Sequence, residues 1–483
     1  MSIAEAKSKE IRVRIAPSPT GFLHVGTARA ALFNYLFAKH ESGKFILRIE
    51  DTDLERSSPK FEKDIIESLK WLGIAWDEGP SRQSDRIEIY TKYLKTLLKE
   101  NKAYYCFCSE EELEAVRQDQ LSRGLAPRYN GKCRSLTETE IKKRLTEGES
   151  AIIRFKTHGE KVSFNDLIRG KIEFDTSLIG DFTIAKDLTT PLYNFAVVVD
   201  DFEMKISHII RGEDHIPNTP KQILIQQALG LPQPQYAHLP LILGPDRSKL
   251  SKRHAAVSVA NYREEGYLPE ALINFMVFLG WNPGTDQEIY SLTALSQEFT
   301  LEKVQKSGAV FNLKRLDYLN GFYIRQKPLD ELTELCRPYL PASPAGGPKA
   351  EKDFLKKVVG LHQERLKKLS EITELADFYF QDKLNYDKEL LRWKDADDQK
   401  MAESLDNLDN LLSEISERNW AKENLEKVLM ARAEKIKDRG YLLWPLRVAL
   451  AGKKASAGPI EIAAILGKEK TLTRLKEARA LIV

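Results

Sequence analysis

The 483-residue chain is too long for one hydrophobic core, and at about 100 to 200 residues per domain it should fold into roughly three to five units. Its 42% apolar and 30% charged residues exclude a disordered chain, no run of about 18 apolar residues supports a membrane span, and the opening MSIAEAKSKEIRVRI has no apolar leader, so a cytoplasmic protein is expected. The 74 basic and 71 acidic side chains leave a net charge of +3, so a nucleic-acid surface would have to be a local patch, and four cysteines are too few for a disulfide framework.

IRVRIA alternates apolar and charged residues before Pro17 and reads as a short strand. After APSPTG, the segment from Thr27 to Lys39 sets Ala28, Ala31, Leu32, Tyr35 and Leu36 on one helical face. KFILRIEDTD reads as a second strand ending in acids. Ser58 and Pro59 then open a helix as N-cap and first residue, with Gly73 closing it. This βαβα order predicts a parallel sheet with crossover helices. From about Tyr90 the rhythm shifts to YYCFC, a polar helical stretch, and the strand-like pieces AIIRFKT and KIEFD, which read as an inserted α+β module. The parallel pattern is expected to resume with strands at YNFAVVVDD and ISHIIRGED, followed by the helix NTPKQILIQQALG.

Beyond about Pro328 helical periodicity dominates. One stripe runs through Leu355, Val358, Val359, His362, Leu366 and Leu369, and another through Ala421, Leu425, Val428 and Leu429. Residues 337–351, RPYLPASPAGGPKAE, form the best linker or long-loop candidate.

A strand, a glycine-bearing turn and a helix place free backbone N–H groups at a sheet's carboxyl edge, where nucleotide phosphates bind. Neither G-x-G-x-x-G nor G-x-x-x-x-G-K-[ST] is present. In that place stands His24-Val25-Gly26-Thr27, which read alone is a phosphate-facing imidazole or a satisfied structural histidine. Far downstream, PDRSKLSKRHAAVS crowds Lys249, Ser251, Lys252 and Arg253 into a polar segment. It is either a surface basic loop or a loop that neutralises charge on a leaving pyrophosphate.

RIAPSPTGFLHVGTAR, FILRIEDTD, WLGIAWDEGP, SRQSDRIEIY, IIRGEDHIPNTP, KLSKR and GYLPEALINFMVFLGW resemble, in this order and spacing, bacterial glutamyl-tRNA synthetases, a class I aminoacyl-tRNA synthetase family. The resemblance spans essentially the whole chain. It implies a Rossmann-like α/β catalytic domain with an α+β insertion and an all-α C-terminal anticodon-binding region. Expected boundaries are 1–90 and 194–247 for the split catalytic domain, 91–193 for an acceptor-stem insertion, 248–328 for a stem-contact region with the KLSKR loop, and 329–483 for the helical region, with subdomains near 329–395 and 396–483.

The implied activity is ATP- and Mg2+-dependent attachment of L-glutamate to tRNA(Glu) through glutamyl-adenylate, by a monomer that needs no membrane. Alternatives are a form that also charges tRNA(Gln), an adenylyltransferase of another substrate, and a non-catalytic tRNA-binding paralogue. The resemblance makes His24, Lys249 and Lys252 catalytic, with Gly26, Thr27 and Ser251 joining them around ATP. A substrate with two carboxylates and one ammonium needs two cationic forks and one anion. The resemblance assigns Arg14 to the side-chain carboxylate, Arg211 to the α-carboxylate, Glu50 to the ammonium, and further polar contacts to Ser18 and Tyr193. Cys106, Cys108 and Cys133, with Tyr129, fall where many members hold a structural Zn2+. Ser135 stands at the usual fourth-ligand position, so the cysteines are either a zinc set completed by Tyr129 or small buried residues without metal.

Overall fold

The computed structural model describes residues 10–53, 55–251, 258–342 and 348–482. The chain divides into two compact units, one comprising residues 1–263 and 269–316, the other residues 264–268 and 317–483. Among the described residues no helix is long and apolar enough to cross a membrane.

In the first unit β1 (Arg12–Ile15) runs into α1 (Val25–His40), β2 (Lys44–Ile49), α2 (Pro59–Trp71) and β3 (Glu78–Arg82). Ser58 caps α2 as its spacing foretells, its hydroxyl accepting from Lys60 N, with Pro59 in the first turn. β1 pairs parallel with β2 and β2 with β3. After α3 (Ile87–Lys99) come β4 (Ala103–Cys106), the polar helices α4 (Glu110–Ser122) and α5 (Glu138–Thr146), and β5 (Ile152–Phe155). β6 (Lys161–Asp166) and β7 (Gly170–Asp175) form a hairpin, and β8 (Phe182–Ala185) completes an antiparallel sheet in the order β4-β5-β8. α6 (Tyr193–Glu203), β9 (His208–Gly212), α7 (Thr219–Ala228) and β10 (Gln235–Leu239) then return to the parallel pattern.

β9 lies beside β1: Ser207 N donates to Arg12 O (2.9 Å) and Arg12 N to Ser207 Oγ (2.8 Å). β9 pairs parallel with β10, so the strands run 3-2-1-9-10 and the order reverses at β1, the switch point where ligands bind in doubly wound sheets. The β6–β7 hairpin extends this sheet, β6 pairing with β10 at Asp166 and Tyr236, although these strands lie inside the segment expected to form the insertion.

YNFAVVVDD is not a strand. It forms α6, whose residues Phe195 through Asp201 are all buried. A run buried on every side shows neither a two-residue nor a 3.6-residue period, so its apolar character alone cannot separate strand from helix. The parallel strands on that side are β9 and β10.

The second unit is helical in its described residues. The stripe from Leu355 to Leu369 is buried throughout, but its helix, Pro348–His362, stops at His362, and the next runs Glu371–Phe380. Gln363 Nε2 donates to Ile324 O and Lys327 O (3.0 Å each) and Arg365 Nη1 to Ser456 O (2.9 Å), tertiary bonds that fix the turn. Helix Lys422–Ala433 buries Leu425 and Leu429, while Ala421 precedes it and is exposed.

His362 is fully buried, with no hydrogen-bond partner for either ring nitrogen among the described residues. Burial, then Arg365 and Lys453, push its pKa down to about 4. As pH falls below 6.5 the unfolded chain takes up a proton that the folded chain refuses. The stabilisation is therefore complete above 6.5 and is lost on the way down to pH 4, by roughly 3 kcal/mol in all. In urea unfolding at pH 7 and pH 5, His362→Leu is expected to lose about 2 kcal/mol less than the wild type on acidification. Equal losses would contradict this role for the buried imidazole.

Candidate active site

A cavity of about 630 Å³ opens at the carboxyl ends of β1 and β9. On the β1 side the turn after Ile15 is tied to the exit of β2, with Glu50 N donating to Pro17 O (3.0 Å). His24 caps α1: its Nδ1 accepts from Gly26 N at 3.0 Å, so the ring proton sits on Nε2. Burial, then the nearby Lys249 ammonium, lower its pKa and keep it neutral at pH 7. A Cβ on Gly26 would lie 3.2 Å from His24 Nδ1, so glycine leaves room for the ring. Thr27 follows in the first turn on the cavity wall.

The KLSKR segment is anchored at both described ends. Leu250 N donates to Ile242 O (2.9 Å), Val259 N donates to Leu23 O (2.9 Å), and Ser258 bridges to His24. Lys249 lines the cavity, its Nζ 3.2 Å from Asp214 Oδ2. Ser251 is half-buried and is not on the cavity wall; Lys252 and Arg253 lie outside the described residues.

Three arginines meet three carboxylates at the cavity floor, with Arg14 and Glu50 on its wall. Arg14 gives Nε and Nη2 to Asp201 (3.0 and 3.3 Å), and Arg48 gives Nη1 to Asp201 (2.8 Å) and Nη2 to Glu50 (3.0 Å). Asp200 accepts from Arg86 Nε (2.7 Å), Gln83 Nε2 and Tyr90 Oη (2.8 Å each). Burial raises the Glu50 pKa against the pull of Arg48 and Arg14, and an arriving ammonium would favour its charged form further.

Arg211 on β9 is held differently. Its Nε donates to His238 Nε2 (3.2 Å) and its Nη2 to Thr219 Oγ1 (2.9 Å), while Nη1 is buried without a partner among the described residues. Tyr193 Oη sits 3.0 Å from His215 Nδ1. Arg14, Ser18, His24, Gly26, Thr27, Glu50, Tyr193, Arg211 and Lys249 thus share one wall-to-wall cavity.

At the end of β4, Tyr129 Oη lies 3.4 Å from Cys106 Sγ and 3.5 Å from Cys108 Sγ and accepts from Cys133 N (2.9 Å). The three sulfurs lie within 4.8 Å of one another. Burial pushes the Cys108 thiol up to about 11, while at Cys106 hydrogen bonds with Tyr129, the Cys108 backbone and Arg154 outweigh burial and lower the thiol. Ser135 is exposed, and Tyr129 takes the fourth place around the thiols.

The family described as tRNA synthetases class I (E and Q), catalytic domain, matches residues 10–318, and the anticodon binding domain family matches residues 331–479. Glutamate–tRNA ligase 2 of Thermoanaerobacter pseudethanolicus is 46% identical over 471 residues, 97% of this chain and 98% of that protein. The chain belongs to the bacterial glutamyl-tRNA synthetase family of class I. Glutamate–tRNA ligase of Aquifex aeolicus is 47% identical across 96% of this synthetase and 98% of its own length. A crystal structure of a glutamate tRNA ligase from Elizabethkingia meningosepticum, in complex with its amino acid, superposes with a TM-score of 0.85 at 34% identity, covering 98% of this chain and 99% of that one.

Sequence reading of this synthetase missed Arg48, Asp201, His215 and His238. One signal was available: two acids at the end of an apolar run, Asp200 and Asp201, are buried charges that require cationic partners.

Proposed function

We propose that the protein activates L-glutamate with ATP and transfers it to tRNA(Glu). An oxygen of the glutamate α-carboxylate attacks the α-phosphorus of ATP, and the bond to pyrophosphate breaks to leave glutamyl-adenylate. A terminal ribose hydroxyl of the tRNA then attacks the acyl carbon, and AMP departs. Neither half-reaction needs a protein nucleophile, so catalysis lies in positioning and in charge stabilisation.

The observation that carries this reading is the Nη1 of Arg211, buried without a partner among the described residues, in the cavity that also holds Glu50, His24 and Lys249. Arg211 receives the α-carboxylate, and Arg14, fixed along one edge by Asp201, offers its other edge to the side-chain carboxylate. Glu50 takes the ammonium, and Ser18 and Tyr193 add polar contacts. His24 donates from Nε2 to the nucleotide phosphates, with Gly26 and Thr27 beside them in the first turn of α1. Lys249 and Lys252 neutralise charge gathering on pyrophosphate, where Mg2+ would supply further neutralisation. One chain carries both the catalytic and the anticodon-binding family regions.

Glutamine is neutral where glutamate carries its second carboxylate, so it brings no anion to the edge of Arg14 that Asp201 leaves open. Labelled glutamine is expected to charge at least roughly a thousandfold less efficiently than glutamate in kcat/KM. Comparable charging of both would overturn the assignment of Arg14.

We propose that Cys106, Cys108, Cys133 and Tyr129 hold a structural Zn2+, as the close sulfurs around one hydroxyl fit four-coordinate binding. Elemental analysis of purified protein is expected to find about one zinc per chain, lost in Cys133→Ser. Metal-free protein with three titratable thiols would contradict the site.

A further inference from the structure

We propose that Asp166 and His238 are positioning residues for amino-acid binding: a buried Asp166–His238–Arg211 relay aims the Arg211 guanidinium into the cavity and leaves its charge unneutralised. The inference rests on Arg211 receiving a substrate carboxylate.

Asp166 closes β6 at the one residue where that strand meets β10, beside Tyr236, so the hairpin delivers it under the cavity. Its carboxylate is surrounded by donors: His238 N (3.0 Å), Ile168 N (3.0 Å), Arg169 N (2.9 Å) and His238 Nδ1 (2.7 Å). Hydrogen bonds from His238 and from the backbone outweigh its burial and lower its pKa, so Asp166 is an ionised acceptor. The His238 proton therefore sits on Nδ1, and Nε2 presents a bare lone pair to Arg211 Nε at 3.2 Å.

Thr219 supplies the second hold, accepting from Arg211 Nη2 (2.9 Å), with its hydroxyl 3.2 Å from both His215 O and His238 Nε2. Both partners of Arg211 are neutral acceptors. Arg14 and Arg48 instead share the carboxylate of Asp201, which cancels part of their attraction for an anion. The Arg211 guanidinium also lies 5.7 Å from the Tyr236 ring, which stacks at 8° on His238, so the cation is braced on its face as well as its edge. A neutral histidine orients this arginine as a carboxylate would, without competing for its charge, and Asp166 fixes the tautomer that makes this work.

The test is tRNA charging by the full chain, with KM for glutamate and for ATP measured in Arg211→Ala, His238→Gln, His238→Glu and Asp166→Asn, beside thermal melting. His238→Gln keeps an oxygen acceptor and is expected to stay within about threefold of the wild type. His238→Glu holds Arg211 but neutralises it, and Asp166→Asn releases the tautomer. Each is expected to raise the glutamate KM by roughly tenfold with the ATP KM unchanged. An unaltered glutamate KM in Arg211→Ala overturns the receptor reading itself. A raised KM in Arg211→Ala with none in His238→Glu and Asp166→Asn overturns the relay alone, as does a rise in both KM values that tracks a lowered melting temperature.

Discussion

Lys249→Ala and Lys252→Ala are expected to fold like the wild type and to charge tRNA with kcat lowered roughly 100- to 1,000-fold each, the range for losing one preorganised donor at a developing charge. Lys249 is 64% exposed and its described partner is the half-exposed Asp214, a surface pair that contributes little to stability. Its ammonium is also close enough to His24 to lower the imidazole pKa, at the end of the cavity proposed to take the phosphates. On that proposal Asp214 and a polyphosphate compete for the same cation. Charging rates and melting temperatures measured side by side decide the matter: a fall in stability that matches the fall in rate would make these lysines structural.

Arg48→Met is expected to destabilise the catalytic unit by about 3 to 5 kcal/mol, the cost of breaking a buried ionic network by removing one partner. Arg48 is fully buried, and its guanidinium touches Asp201 at 2.8 Å and Glu50 at 3.0 Å with Asp200 at 3.7 Å. These carboxylates raise its pKa despite burial, so the cation never leaves on its own. Without it, Glu50 has lost its cationic partner and Asp201 keeps Arg14 alone. Arg14→Met is expected to be milder, because Arg48 still neutralises Asp201. Urea unfolding of both variants checks the order; an Arg48→Met protein within 1 kcal/mol of the wild type would contradict it.

The short motifs carried most of the residues that line the cavity, because several of them sit at strand exits and in turns whose composition is dictated locally. His24 beside Gly26 is such a case: the cap needs the imidazole, and the imidazole needs the missing Cβ. What supports those residues was not legible. Asp201 meets Arg14 and Arg48 across more than 150 positions of chain, and His238 reaches Asp166 across 72, separations that no periodicity records. α6 misread as a strand for the related reason that uniform burial erases the period. β6 alternates buried and exposed residues along its whole length, yet its place beside β10 depends on one backbone pairing far away in sequence.

The most direct measurement is charging of purified tRNA(Glu) by the full chain with labelled glutamate, ATP and Mg2+. Acid-precipitable glutamyl-tRNA that forms only when all four are present, and that Arg211→Ala abolishes at low glutamate, is the expected result. No charging of tRNA(Glu), or charging unaffected by loss of Arg211, would contradict the account.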